Sequence, residues 1–226
     1  MTARGSATAA STLLTGLQVY YKLEDETDSS GNALTLTNTN GVTFTAGKVN
    51  NAATFVHPPN ENLTHVDATQ YQMGTSDWSI CAWFKTNGAI TANQLVVYGQ
   101  VGSVSYDVRL SGANILVAAN DGTNSAFKSN NTTVNDSAWH LVIATFNRAG
   151  NISVYIDNGA AQTASMTAVT GSIVDINGRG FMIGQNNIFG EWWEGQIDEV
   201  GMWNRVITST EISTLWNSGN GTTYPF

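Results

Sequence analysis

The sequence predicts an all-β fold in which two antiparallel sheets pack into a sandwich. Apolar and polar residues alternate over many short segments, as expected of strands with one buried face. Glycine, asparagine and aspartate separate these segments at distances typical of hairpin turns. Only 12% of the 226 residues are charged, and asparagine outnumbers lysine and arginine together. A chain of this length without a break in composition fits a single all-β domain.

The alternation of side chains defines a strand in most segments after residue 16. In residues 152–157, Ile152, Val154 and Ile156 share one face, and the Asp157-Asn158 pair that follows is a hairpin signal because Gly159 comes next. The predicted strands are 17–23, 33–37, a short strand at residue 44, 53–55, 78–86, 94–100, 104–110, 114–119, 139–146, 152–157, 179–184 and 195–203.

One segment near the C-terminus departs from the two-residue period. Thr208 followed by Glu211 forms a capping box, and Ile212 and Leu215 lie on one face of a helix. Gly219 stands where a C-terminal cap is expected. The sequence therefore predicts one short C-terminal helix, and the capping role accounts for Glu211 without a part in catalysis.

Charge and cysteine content exclude several functional classes. The formal net charge is -8 and the isoelectric point is about 4.6, which disfavours nucleic acid and anionic lipid as partners. No run approaches the ~20 apolar residues that a membrane-spanning helix needs, so no membrane insertion is expected. Cys81 is the only cysteine, which rules out an intrachain disulfide and predicts a small buried hydrophobic residue.

Several pieces of sequence, in this order, carry a family pattern. They are VYYKLEDETDSSGN with GKVNNAATF, DWSICAWFK, WHLVIATF with ISVYIDNG, and FMIG with GQIDEVGMWNRVITSTEISTLW. Together they resemble the laminin-G-like jelly roll of the concanavalin A-like lectin/glucanase superfamily, over nearly everything after Leu17. The resemblance implies a two-sheet antiparallel jelly-roll sandwich and a carbohydrate-binding or adhesive role, in some members with bound calcium. It does not identify the ligand, because this fold carries lectins, hydrolases and structural modules alike.

The same pattern sets the domain boundaries. Residues 16–226 are expected to form the jelly-roll domain, and residues 1–15 a polar N-terminal arm that is either flexible or used in assembly. The arm has no continuous apolar stretch of the kind found in a secretory signal peptide. We expect a protein of the extracellular space or of a virion surface.

An acidic stretch, residues 24–32 (EDETDSSGN), leaves two interpretations open. Asp28 to Gly31 has the pattern of a type I turn, in which the carboxylate accepts backbone N–H groups. Asp28 could instead share a Ca²⁺ ion with Asp198, since the first and last strands lie close together in related jelly rolls. Asp198 and Glu199 are neighbours in a predicted strand, so one of them must be buried or lie at the rim, where a carboxylate needs a partner.

The sequence offers no acid pair for glycoside hydrolysis. Glycosidases place two carboxylates on either side of the scissile bond. Glu191 and Glu194 are three residues apart in a glycine-bounded loop, which places them on opposite sides of an extended chain. Since no other catalytic motif appears, the protein is not expected to be an enzyme, and a hydrolase or lyase is the least favoured function.

Aromatic residues in loops are the candidates for ligand binding. Sugars present flat C–H faces to aromatic rings and hydroxyls to amides. In the loop 185–195, Trp193 is predicted to pack inward, whereas Trp192 and Phe189 are expected to face solvent beside Asn187. The alternative for Trp192 is that it closes the edge of the sandwich. Further candidates are Tyr98, Tyr106 and Asp107.

The sequence therefore favours a non-catalytic module that binds a glycan or a surface partner through its rim loops. The alternative is a structural, decoration or receptor-binding protein of a phage virion, in which the arm mediates contacts between copies in a homo-oligomer. A glycan array tests the first function, and contacts made by the arm test the second.

Overall fold

The protein is a sandwich of two antiparallel sheets with one short C-terminal helix, as the sequence predicts. The computed structural model describes residues 12–87, 92–186 and 190–226. The elements are β1 (Leu17–Tyr21), β2 (Thr37–Thr39), β3 (Thr43–Ala46), β4 (Asn51–Phe55), β5 (Asn62–His65), β6 (Trp78–Thr86), β7 (Ala92–Gly99), β8 (Val104–Ser111), β9 (Asn114–Asp121), β10 (Ser125–Ser129), β11 (Trp139–Phe146), β12 (Asn151–Ile156), β13 (Gln162–Ser165), β14 (Phe181–Ile183), β15 (Gln185–Asn186), β16 (Glu191–Trp192), β17 (Gly195–Trp203), the helix α1 (Ser209–Trp216) and a 3₁₀ turn (Asn217–Gly219).

The strand order shows the crossovers of a jelly roll. One sheet has eight strands in the order β13-β12-β11-β6-β17-β4-β3, and β1 pairs with β17. The other sheet has seven strands in the order β10-β9-β8-β7-β14-β5-β2. β15 and β16 form a separate two-stranded hairpin. Each of these pairs is antiparallel.

The main core lies between the two sheets. Trp78 of β6 stacks on Phe146 of β11 with ring centroids 4.4 Å apart, and Tyr106 of β8 packs against Trp78 from the opposite sheet at 5.6 Å. Because side chains alternate along a strand, Asp107 and Arg109 of β8 point away from this core. The seven-stranded sheet therefore presents polar groups on its outer face.

A second hydrophobic cluster covers the outer face of the eight-stranded sheet. Ile212 and Leu215 of α1 pack there against Trp203, and the C-terminal Tyr224 stacks on Tyr20 at 5.0 Å. This sheet is thus buried on both faces, which explains the continuous apolar run WSICAWF of β6. Cys81 lies in that run and is 1% exposed, as predicted.

The described part of the predicted arm, residues 12–15, packs on this second cluster. Leu13 is fully buried, and its carbonyl accepts a hydrogen bond of 2.6 Å from the Trp203 indole. The Arg205 guanidinium donates to the carbonyls of Thr12 and Thr15 at 2.9 and 2.8 Å. No helix among the described residues has the length and apolar character needed to cross a membrane.

Two local predictions are confirmed in detail. The capping box of α1 is present, since Glu211 N–H donates to the Thr208 hydroxyl and Thr208 N–H donates to the Glu211 carboxylate. The β12–β13 turn has positive φ at Asp157 and Asn158, 53° and 58°, as a tight hairpin turn with the strand twist requires.

Other boundaries differ from the sequence prediction. The strand predicted at 33–37 starts only at Thr37, because the preceding chain folds around Asp28 and Ala33 adopts a φ of 58°. The cap of α1 is Asn217, with a φ of 48°, and Gly219 lies at the end of the 3₁₀ turn that follows. The sequence does not predict five short strands, β5, β10, β13, β15 and β16. They have two to five residues each and are mostly polar, so they show no clear alternation of apolar and polar side chains.

Candidate functional site

A groove on the outer face of the seven-stranded sheet is the strongest candidate for a binding site. Phe127, Ala118, Asp107 and Val97 are consecutive cross-strand partners on β10, β9, β8 and β7. Such partners point to the same face of the sheet. The Phe127 ring is 63% exposed, and the small Ala118 beside it leaves a groove of about 240 Å³.

An ion pair forms the floor of the groove. Arg109 Nη1 donates to Asp107 Oδ2, and the two side chains are 24% and 2% exposed. The pKa of Asp107 is raised to about 6, chiefly because the carboxyl is buried. The Arg109 guanidinium lowers this pKa, and the negative charge of Glu191 raises it further. The guanidinium fixes the carboxylate and keeps part of its own surface open to the groove.

Polar groups continue along one side of the groove. Ser125, Asn120 and Ser105 are again consecutive cross-strand partners, and all three line it. Hydroxyl and amide groups offer both donors and acceptors. With the exposed Phe127 ring opposite, the groove can hold a ligand that has one apolar face and many hydroxyls.

The β15–β16 hairpin lies over β7 beside this groove. Both of its strands contact β7, and Glu191 of β16 acts electrostatically on Asp107 in the groove. Trp192 is half-buried, and its ring stacks on the exposed His57 with centroids 5.6 Å apart and planes 8° apart. Trp192 therefore closes the rim and keeps part of its ring accessible. Trp193 is fully buried, as predicted.

Of the other predicted binding residues, the structure places one in the groove and two in the core. Asp107 lies in the groove, as described above. Tyr98 and Tyr106 are fully buried and belong to the core between the sheets. The Tyr98 hydroxyl donates to Asp67 at 3.0 Å and the Tyr106 hydroxyl to the Tyr71 carbonyl at 2.8 Å, so neither presents a surface to a ligand. Asn187 and Phe189 lie outside the described residues.

Of the groove residues named above, sequence reasoning predicts only Asp107; it misses the others, Phe127, Ala118 and Arg109 among them. The signal in the sequence is the run SAFKS at 125–129, in which Phe127 shares one face of an extended chain with Ser125 and Ser129. The run is too short and too polar at its flanks to predict a strand. Only the pairing of β10 with β9 shows that Phe127 points away from the core.

The two residues considered for calcium have different environments. The Asp28 carboxylate accepts from Tyr20 N–H at 3.1 Å, from Ser30 N–H at 2.9 Å and from the Ser30 hydroxyl at 2.8 Å. Both of its oxygens are thus used by the turn, which favours the turn interpretation. Asp198 is fully buried on β17, and its Oδ2 accepts from Lys48 and Val49 N–H, both at 2.9 Å.

Several solved structures share this architecture. The binding domain of Paraclostridial Mosquitocidal Protein 1 matches with a TM-score of 0.70 and 16% identity, over 92% of this chain and 53% of that chain. The Botulinum neurotoxin serotype G binding domain matches with a TM-score of 0.73 and 17% identity, over 90% of this chain and 51% of that chain. This chain therefore spans about half the length of either toxin domain.

A third structure matches almost end to end. It is Domain 4 of AbnA, a GH43 extracellular arabinanase from Geobacillus stearothermophilus, in complex with arabinotriose, with a TM-score of 0.69 and 15% identity. The match covers 87% of this chain and 96% of that domain. Identities this low show the fold alone.

Sequence comparison places the chain in a family. A comparison with curated protein sequences found no match. A family model described as the concanavalin A-like lectin/glucanases superfamily, of laminin-G type, matches residues 60–213, which is more than half of the chain. This confirms the resemblance drawn from the motifs. The chain belongs to the laminin-G-like branch of the concanavalin A-like lectin/glucanases superfamily.

Proposed function

We propose that the protein is a non-catalytic module that binds a neutral glycan in the groove of the seven-stranded sheet. The observation that carries this proposal is the exposed Phe127 residue, which lies beside Ala118 in the groove that the Asp107–Arg109 pair also lines. An aromatic ring packs against the C–H face of a sugar, and fixed polar groups bind the hydroxyls at its edge.

The charge balance of the groove supports a neutral ligand. Asp107 and Arg109 offset each other, and Glu191 adds negative potential at Asp107. The chain as a whole carries a net charge of -8. An acidic sugar would therefore meet repulsion that a neutral one avoids.

Two features support binding without chemistry. Among the described residues that line the groove, Asp107 is the one carboxylate, whereas glycoside hydrolysis uses a pair of them. The structurally similar Domain 4 of AbnA was solved in complex with arabinotriose, and the other two similar structures are binding domains. Arabinotriose is therefore the first ligand to try.

A glycan array followed by titration calorimetry tests the proposal. We expect the wild-type chain to bind one class of neutral oligosaccharide, and Phe127→Ala to weaken binding by about tenfold, the effect of losing roughly 1.4 kcal/mol of contact. Ile176→Ala is the matched control, because this side chain is also apolar and 79% exposed but is not among the residues that line the groove.

Trp192→Ala separates the groove from the rim loop. If this variant loses binding while Phe127→Ala keeps it, the ligand occupies the rim and the groove assignment is wrong. The absence of any signal for the wild type on the array would contradict the proposed function itself.

A further inference from the structure

A polar cavity lies at one end of the eight-stranded sheet, on the opposite sheet from the glycan groove. It has a volume of about 280 Å³, and its walls include Lys85 of β6, Gln196 of β17 and Thr54 of β4. These three residues are consecutive cross-strand partners, so they point to one face of the sheet. That face is the outer one, because Phe84 and Ile197, which alternate with them, belong to the main core. An ammonium, an amide and a hydroxyl thus lie side by side, each on a partly exposed residue.

An aromatic residue extends this row beyond Lys85. Trp139 of β11 is the cross-strand partner of Lys85 on its other side, and it is half-buried. Neighbouring strands are roughly 5 Å apart, so one bound sugar residue can reach both the indole and the ammonium. The row across four adjacent strands therefore combines a ring for stacking with groups that bind charge and hydroxyls.

Lys48 adds a second positive charge above the same face. Its Nζ lies 4.6 Å from the centroid of the Trp83 ring. Trp83 precedes Lys85 by two residues on β6, and alternation places both side chains on the outer face. Within the part of the chain that the structure describes, the ion pairs involve neither lysine. Two ammonium groups without an ion pair therefore lie on one face of a chain whose net charge is -8.

The acids on this side of the sheet are mostly engaged with the backbone. Asp198 and Glu61 are 0% and 8% exposed, and one carboxylate oxygen of each accepts hydrogen bonds from backbone N–H groups. Glu24 Oε2 likewise accepts from Asn51 N–H at 3.2 Å. Glu194 is partly exposed directly before β17, so it offsets at most one of the two positive charges. A ligand carboxylate at the cavity therefore meets the lysine ammonium groups first.

Two side chains of the wall are prepared to bind hydroxyls. The Gln196 amide nitrogen donates to the Ala46 carbonyl at 3.0 Å and to the Thr45 hydroxyl at 3.1 Å, which fixes the side chain and leaves its carbonyl oxygen as an acceptor. Thr86 is 1% exposed, and its hydroxyl has no hydrogen-bond partner among the described residues. A buried hydroxyl of this kind on a cavity wall is satisfied by water or by a ligand.

We propose that this cavity binds an acidic sugar, with a hexuronic acid residue as the ligand class. The Lys85 ammonium binds the carboxylate, and Lys48 adds attraction from the same side. The C–H face of the sugar packs on Trp139, and Gln196 accepts from its hydroxyls. A neutral sugar gains only the stacking and the hydroxyl contacts.

This cavity is independent of the glycan groove in position and in charge. The groove contains the mutually offsetting Asp107–Arg109 pair, with Glu191 close enough to act on Asp107. The cavity contains Lys85 with Lys48 nearby instead. We therefore expect neutral sugars in the groove and acidic sugars in the cavity, and the two sites can fail independently.

Titration calorimetry of the full chain with tetragalacturonate, tetramannuronate and their methyl esters tests the proposal. We expect one of the two acids to bind, its methyl ester to bind at least about tenfold more weakly, and binding to weaken as NaCl rises from about 50 to about 500 mM. Lys85→Gln should weaken binding of the acid by about tenfold, because it removes the charge and keeps a polar side chain. Lys128→Gln is the matched control, since Lys128 is a partly exposed lysine on β10 of the other sheet. Phe127→Ala should leave binding of the acid unchanged.

Four results would overturn the proposal. The first is the absence of binding heat with either acid at millimolar concentration in low salt. The second is equal affinity for the acid and its methyl ester. The third is unchanged affinity in both Lys85→Gln and Lys48→Gln, the latter serving as a second variant if the former does not fold. The fourth is loss of binding of the acid in Phe127→Ala, since this would place the acidic sugar in the groove.

Discussion

Replacing Glu211 by glutamine should destabilise the protein at neutral pH and have little effect in acid. Glu211 is 2% exposed, and its carboxylate accepts from Arg205 Nη1 and Nη2 at 2.9 and 2.7 Å, from Thr208 N–H at 2.7 Å and from the Thr12 hydroxyl at 2.7 Å. The pair joins the helix start, the segment after β17 and residue 12. Glu211→Gln removes the charge and leaves the guanidinium without its partner.

The magnitude follows from the pKa of the carboxyl. Burial alone would raise the pKa of Glu211, but the hydrogen bonds from Arg205, Thr208 and Thr12 lower it from 4.5 to about 2. That difference corresponds to about 3 kcal/mol at 1.36 kcal/mol per pKa unit. The Arg205 side chain is 26% exposed, so water screens the pair and we expect about 2 kcal/mol. For a chain of this size the melting temperature should fall by about 4 to 8 °C.

The pH dependence has a definite sign. Because the folded pKa is lowered, the stabilisation is present in full above pH 4.5 and is lost as the pH falls toward 2. Urea unfolding followed by tryptophan fluorescence at pH 7 and pH 3 measures it. Glu194→Gln, a change of the same kind in a loop, should stay within about 0.5 kcal/mol of wild type. An equal loss at both pH values for Glu211→Gln would refute the electrostatic account.

Three further predictions concern other parts of the fold. His140 Nδ1 lies 2.6 Å from Asp157 Oδ2, and His140 Nε2 lies 3.0 Å from Asp136 Oδ1. Burial lowers the pKa of His140, but the two carboxylates outweigh it and raise the pKa above its usual value. The stabilisation from His140 is therefore present below pH 6.5 and is lost as the pH rises through the folded pKa. In urea unfolding, His140→Asn should lower the free energy of unfolding more at pH 5.5 than at pH 8.5. Gly180→Ala should lower the free energy of unfolding by about 2 to 4 kcal/mol, because the new Cβ would meet the backbone of residues 65–67, 2.7 Å from the carbonyl carbon of Val66. Gly178 is the control, since it has a similar positive φ and no atom lies within 4 Å of a Cβ built there. Gly178→Ala should therefore lower the free energy of unfolding by only about 1 kcal/mol. Cys81 should resist a thiol reagent in the native protein and react in denaturant, because burial raises the pKa of its thiol; reaction at full rate in the native state would contradict this.

The groove shows where sequence reasoning stops. Alternation along β8 predicts that Asp107 and Tyr106 face opposite sides, but it does not say which side is the core. The choice depends on which strands lie beside β8 and on which sheet covers it. Phe127 illustrates the same limit, because a lone phenylalanine in SAFKS reads equally well as a core residue or as an exposed ring.

The sequence by itself determined the two-sheet sandwich, the helix with its capping box at Thr208 and Glu211, and the burial of Trp193 and Cys81. These features follow from local periodicity, turn chemistry and hydrophobicity, which neighbouring residues specify together. Only the tertiary structure decided that Phe127 and Asp107 line the same groove, and that Asp198 and Glu24 both accept from backbone N–H groups at residues 48–51. Those groups meet through strand register and crossovers between distant segments, which depend on how the whole chain packs.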